Sequence, residues 1–181
     1  MMNQCIHGVD LLRWMMGDEV EEVYAQTAQQ FHHYLECEDV GMAVVKFKNG
    51  AIGTIEGTTN VYPKNLEETL YLFGETGTVK IGGTSTNNID VWDFADQRPE
   101  DADLKGLQEA TSNVYGNGHT LVYADMMDAI ANDRPPYIDG KAGRRALEMI
   151  LAMYQSAATG VPVKLPLKEV ASTDFTGRFS R

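Results

Sequence analysis

The stretch VGMAVVKFKNGAIGTIEGTTNV, residues 40–61, places two apolar, β-branched runs on either side of a short polar link. Valine, isoleucine and threonine favour extended backbone, and KNG at residues 48–50 is typical of a tight turn. Parallel strands would need a crossover of about a dozen residues, so this link predicts an antiparallel pair. In the first run, Met42, Val44 and Val45 break strict alternation, which indicates a strand covered on both faces and hints at a partner.

The pattern continues on both sides of this pair. Further strands are predicted for EVYAQTAQQF, ETLYLF, TVKIGG and IDVWDF, at residues 22–31, 68–73, 78–83 and 89–94. Helices are predicted at residues 3–16, about 120–132 and 140–158, and a solvated loop at the acidic residues 96–103. We therefore expect an α+β fold, an open and largely antiparallel sheet with helices packed on one face. Its other face is left for solvent or for association.

Size and charge limit the classes of function. A chain of 181 residues is long enough for a single domain, residues 1–181, with its own core. The 26 acidic residues exceed the 15 basic ones and give a net charge of −11, which disfavours nucleic acid or an anionic membrane as a partner. The only cysteines are Cys5 and Cys37, and no apolar run approaches the about 18 residues of a membrane span. These features favour a cytoplasmic protein.

The first predicted helix carries a polar stripe beside its apolar face. At about 100° per residue, four side chains share this stripe: Asn3, His7, Asp10 and Trp14. A carboxylate one turn from an imidazole can fix its tautomer and suit it to acid–base work near neutral pH. The same spacing also fits an inert, hydrogen-bonded histidine at a helix start, and the residues alone leave both alternatives open.

Two other stretches contain histidine in patterns that can form a site. GNGH, residues 116–119, places His119 at a helix start, where free N–H groups suit an anion; the alternative is a plain glycine-rich cap with an exposed histidine. HHYLECED, residues 32–39, lacks the paired spacing of a structural zinc site, so a polar loop or strand edge is favoured and no metal is expected. Cys5 and His7 point to different sides of a helix, which argues against a thiol–imidazole dyad.

The glycine-rich stretch GETGTVKIGG, residues 74–83, does not have the spacing of a phosphate-binding loop. It contains neither G-x-G-x-x-G after a strand nor G-K-[ST]. GETG therefore predicts a turn between consecutive strands, and no cofactor-binding residue is expected in this chain.

Two ordered motifs carry a family resemblance. NQCIHGVDLLRWMMG, residues 3–17, resembles the second-domain signature of the Gfo/Idh/MocA oxidoreductases, in which an Asp or Asn, three residues and a His precede xxDLLxWxxG. Residues 118–166, with G-H, D-G, R-A-L-E-M-I and T-G-x-P-V in family order, resemble the remainder of that domain. The resemblance covers nearly the whole chain, and it implies the α+β fold of this second domain.

The resemblance also implies roles for individual residues. His7 corresponds to the family's acid–base residue, a general base in oxidation of a hydroxyl carbon and a general acid in reduction. Asn3 replaces a frequent Asp, which implies a hydrogen bond to a substrate hydroxyl and leaves Asp10 to orient His7. Gln4 and His119 complete the substrate-binding set. The N-Q-x-x-H form is most similar to members acting on nucleotide-linked N-acetyl sugar acids.

Features of the family that this chain lacks shape the expected function. The family's first domain is a Rossmann fold with a glycine fingerprint and a Glu-Lys-Pro motif, and neither occurs here. We therefore expect a piece of a longer enzyme, inactive without the domain that binds NAD or NADP. The alternatives are a stand-alone sugar-binding or assembly module that has lost catalysis, and an unrelated binding domain. The resemblance further implies self-association through the open sheet face.

Overall fold

The computed structural model describes residues 1–17, 19–110 and 116–179. Apart from a short 3₁₀ turn at Ser172–Phe175, its elements in chain order are α1 (Ile6–Met15), β1 (Val20–Ala28), β2 (Val40–Phe47), β3 (Ile52–Thr58), β4 (Leu70–Phe73), β5 (Gly77–Gly82), β6 (Asn88–Phe94), α2 (Asp101–Leu104), α3 (His119–Ala131), α4 (Gly140–Thr159) and β7 (Val163–Lys164). The α+β class with antiparallel strands is confirmed.

The stretch at residues 40–61 forms the predicted hairpin. Strands β2 and β3 pair antiparallel, and the Phe47 N–H donates to the Ala51 carbonyl at 2.9 Å to close the turn. Gly50 has a φ of 90°, in the left-handed region that glycine adopts without steric cost. Because β1 pairs with β2 and β7 pairs with β1, the sheet has the order β3-β2-β1-β7.

One face of this sheet is buried under α4, which packs against β1. In β2 the side chains of Ala43, Val45 and Phe47 are at most 6% exposed, whereas Met42 and Val44 are 51% and 48% exposed. Burial therefore alternates strictly, because successive side chains of a strand point to opposite faces. The two-sided cover expected from the apolar run is not provided by the described residues of this chain.

The chain divides into two compact units, residues 1–61 with 140–181, and residues 62–139. The second unit contains a separate antiparallel sheet of order β4-β5-β6, so the strands form two sheets instead of the single one expected. Between β3 and β4 the described chain has no strand, and Pro63 there has no N–H to give to a ladder. The single-domain organisation stays a prediction, to be checked by whether both units unfold in one transition.

Three further features of the secondary structure differ from the sequence prediction. Helix α1 begins at Ile6, after a turn at residues 2–5, so Asn3 precedes the helix. Helix α2 overlaps the end of the predicted acidic loop, and its Asp101 carboxylate accepts hydrogen bonds from the Trp92 indole at 2.9 Å and the Arg98 N–H at 2.7 Å. The two-residue strand β7 was not predicted, because so short a segment carries no periodicity. Across the described residues, no helix has the length and apolar character needed to cross a membrane.

Candidate active site

The candidate site lies where the turn at residues 2–5 leads into α1. Val9 and Leu12 are 1% and 6% exposed and turn one side of the helix towards the core, and α1 also packs against α4. His7, in the first turn of α1, is exposed. The apolar spacing of the helix thus directs the imidazole to the molecular surface, where a substrate can reach it.

Asp10 makes its ionic contact with an arginine of the same helix. Its carboxylate accepts hydrogen bonds from Arg13 at 2.7 Å and 3.2 Å, an i,i+3 pair in which the arginine is only 4% exposed. The structure shows this pairing, and the orientation of His7 by Asp10 stays a prediction. Arg13 was missed by sequence reasoning, although the D-x-x-R spacing was visible in the motif.

Amide and aromatic side chains precede and follow His7 in the sequence. Asn3 is exposed and Gln4 is half-buried in the turn before α1. Trp14 follows Asp10 by about one helical turn and is 57% exposed. The N-terminal segment therefore carries an exposed amide side chain, an imidazole and an aromatic ring within residues 3–14.

His119 is placed in the other compact unit. It is the first residue of α3, with Gly118 at the N-cap, and its side chain is exposed. The predicted helix start is therefore present, one residue earlier than expected. That His119 takes part in substrate binding stays a prediction.

The histidine- and acid-rich segment at residues 32–39 is a loop that encloses a buried carboxylate. Asp39 is 2% exposed and accepts N–H donors from Gln30, Phe31 and His32 at 2.8, 2.7 and 3.0 Å. Burial alone would raise the pKa of Asp39, but these backbone hydrogen bonds outweigh it and hold the pKa well below its usual range. Residues 32–39 therefore form the polar loop that the sequence favoured, and the hydrogen bonds to Asp39 organise it. No cluster of three metal-ligating side chains occurs among the described residues.

A second buried carboxylate belongs to Glu38, the residue directly before Asp39. Glu38, 5% exposed, accepts a hydrogen bond from the Tyr154 hydroxyl at 2.9 Å and pairs with the Met1 ammonium group. Burial and the negative charge of Glu38 raise the pKa of Tyr154 far above its usual value. Tyr154 lies on α4, 116 residues away, so no local pattern could reveal the pair.

The glycine-rich stretch at residues 74–83 is a hairpin. The Gly74 N–H donates to the Gly77 carbonyl at 2.8 Å, and β4 and β5 pair antiparallel on either side. This is the turn predicted from GETG.

Comparison with known proteins supplies the family context. A family model described as "Oxidoreductase family, C-terminal alpha/beta domain" matches residues 1–165. Among solved structures, the WlbA dehydrogenase of Bordetella pertussis, in complex with NADH and UDP-GlcNAcA, is 40% identical with a TM-score of 0.81. That match covers 92% of this chain and 46% of the other.

Two curated relatives are more distant in sequence. The uncharacterized oxidoreductase YrbE of Bacillus subtilis is 29% identical, covering 91% of this chain and 47% of that protein. Myo-inositol 2-dehydrogenase of Thermotoga maritima is 26% identical, covering 91% and 48%. This chain thus spans about half the length of the relatives that it matches.

Proposed function

Because this chain belongs to the Gfo/Idh/MocA oxidoreductase family as its C-terminal alpha/beta domain, we propose that it is the substrate-binding half of a dehydrogenase acting on a sugar derivative. The observation that carries the proposal is the exposed His7 at the start of α1, inside the motif shared with the family. The 40% identity to a dehydrogenase in complex with NADH and UDP-GlcNAcA supports a nucleotide sugar as substrate class.

His7 performs the proton transfer in this proposal. In oxidation the imidazole accepts the proton of the substrate hydroxyl, and in reduction the imidazolium returns it to the carbonyl oxygen. Asn3 and Gln4 donate hydrogen bonds to substrate hydroxyl groups from the turn before the helix, and His119 contributes to substrate binding. Asp10, held by Arg13 at 2.7 Å, orients the imidazole in this proposal.

The residues described here do not fit a dinucleotide site. Such a site needs a parallel βαβ unit whose glycines let the backbone approach the pyrophosphate. All strand pairs among the described residues are antiparallel, and the glycine-rich stretch is a hairpin turn. In our proposal NAD or NADP is therefore bound by another half, which carries out hydride exchange, and this chain by itself is inactive.

The outer face of the larger sheet supports a proposal of self-association. Tyr24, Val44 and Thr54 lie opposite one another in the β1–β2–β3 register, and Met42 is in the next row. Tyr24, Met42 and Val44 are 40%, 51% and 48% exposed, a cluster of apolar side chains on a free sheet face. We propose that a second copy covers this face and buries over about 1,000 Å² in total.

A fusion enzyme tests the proposed function. The nucleotide-binding half of the Bordetella pertussis WlbA dehydrogenase is joined to the start of residues 1–181, and NADH formation is followed with UDP-GlcNAcA. Turnover by the fusion, with none by either half alone, is the expected result. A fusion that binds the nucleotide sugar without turnover would instead favour a sugar-binding module that has lost catalysis.

A further inference from the structure

Strand β3 carries glycine at two positions of the face that contacts α1, and the two positions differ in the space around them. A Cβ atom built on Gly53 would lie 3.4 Å from the nearest atom of Leu12, an ordinary van der Waals contact. A Cβ atom built on Gly57 would overlap the Cys5 sulfur, because the two atoms would be closer than real Cβ contacts allow. The N-terminal segment therefore tolerates a methyl group at Gly53 and excludes one at Gly57.

The contact at Gly57 involves Cys5, the residue directly before α1. The Cys5 carbonyl accepts the Val9 N–H at 3.0 Å, the hydrogen bond that joins the preceding turn to the helix. The Cys5 sulfur is bonded directly to the Cys5 Cβ atom. It can therefore avoid a new methyl group on residue 57 only if the Cys5 side chain rotates or the Cys5 backbone moves. The Met1 thioether, 2.7 Å from the same Cβ position, is at the end of a flexible side chain and can move away.

We infer that Gly57 is a positioning residue for His7: its missing side chain sets the depth at which Cys5 packs against β3. Gly57 is buried, and its φ lies outside the left-handed region. Glycine is therefore needed at this position because it has no side chain, and not because of its backbone freedom. Asn3 and Gln4 directly precede Cys5, and His7 follows two residues later. A displacement of Cys5 therefore moves both the turn and the imidazole. The catalytic meaning of this inference rests on the proposed function, which makes His7 the acid–base group.

The test compares three variants of the 181-residue chain by NMR: Gly57→Ala, the matched control Gly53→Ala, and the double variant Cys5→Ala/Gly57→Ala. We expect Gly57→Ala to shift the His7 Hε1 resonance and the amide resonances of the turn by more than a line width. Gly53→Ala should leave them within a line width, and removal of the Cys5 thiol should restore the original His7 resonance. If the methyl group only destabilised the fold, replacement of Cys5 would not restore the His7 resonance.

Contrary results are equally clear. His7 resonances that are unchanged in Gly57→Ala, or that move as much in Gly53→Ala, overturn the inference. If Gly57→Ala does not fold, a folded double variant with the original His7 resonance supports the inference, and an unfolded one rejects it. Because no turnover is measured, this outcome is independent of the fusion experiment: failure of His7→Ala to reduce turnover would remove the proposed catalytic role without affecting the packing result.

Discussion

Asp39 shows how one side chain organises a loop and makes stability depend on pH. Its carboxylate binds three consecutive backbone N–H groups, so replacement with Asn should lower the free energy of unfolding by about 1.5–3 kcal/mol at neutral pH, the contribution of one charged hydrogen bond. Because the pKa is depressed in the folded state, this stabilisation is present above the ordinary aspartate pKa and is lost as the pH falls below it.

Urea denaturation at neutral and acidic pH checks this expectation. The difference between the original chain and Asp39→Asn should shrink as the pH falls below about 4, where the unfolded carboxylate takes up a proton. Asp96→Asn, at an exposed aspartate, is the matched control and should have little effect at either pH. A difference that is independent of pH would contradict the assignment.

His7 is the residue on which the proposed chemistry depends. In the fusion enzyme, His7→Ala should reduce kcat by about 10²–10⁴-fold, the usual contribution of a general acid–base group, with a much smaller change in KM. The exposed His33 provides a control, since His33→Ala should leave both constants near their original values. Full turnover in the His7 variant would exclude the assigned role.

At the level of helices and strands, Ser156 joins α4 to β1. Strand β7 pairs with only two residues of β1, and beyond it the Ala25 N–H donates to the Ser156 hydroxyl at 3.0 Å. That hydroxyl donates to the Val161 carbonyl at 2.8 Å. The side chain thus takes the place of a strand partner along the uncovered part of β1.

Replacement of Ser156 with Ala should lower the free energy of unfolding by about 1–3 kcal/mol, because it leaves a buried N–H and a carbonyl without this partner. Amide hydrogen exchange at Ala25 should become faster by the corresponding factor. Thr159→Ala on the same helix removes an exposed hydroxyl that bonds only to helix carbonyls, and should change stability little. Equal effects of the two substitutions would argue against the role given to Ser156.

For the whole molecule, the outer sheet face leads to a prediction about assembly. Val44→Lys places a charge at the centre of the exposed apolar cluster and should convert a dimer or larger assembly to monomer in sedimentation experiments. Leu66→Lys, at a 73% exposed position in the other unit, should leave the association unchanged. A strictly monomeric original chain at high concentration would contradict the proposed self-association.

Cofactor binding supplies a second expectation for the intact chain. Calorimetry should detect no appreciable binding of NADH to residues 1–181, since a dinucleotide requires the parallel βαβ unit discussed above. Micromolar affinity for NADH would show that our assignment of cofactor binding to the other half is wrong.

Local patterns were sufficient for much of the fold. The strand at residues 40–47 and the turn after it were predicted with their observed bounds, and the two long C-terminal helices within a residue or so, because periodicity, β-branching and turn residues act over a few positions. The His7 motif was visible for the same reason, since all of its residues lie within the consecutive positions 3–17.

Packing determined the features that no local pattern contained. The spacing of Asp10 and Arg13 is visible in the sequence, but the burial of Arg13, which is 4% exposed, is a result of tertiary packing. The bond from Tyr154 to Glu38 and the contact between Gly57 and Cys5 join segments far apart in sequence. Such contacts form only when distant elements pack together. A polar bond becomes buried, and a position loses the space for a methyl group, only in the assembled core.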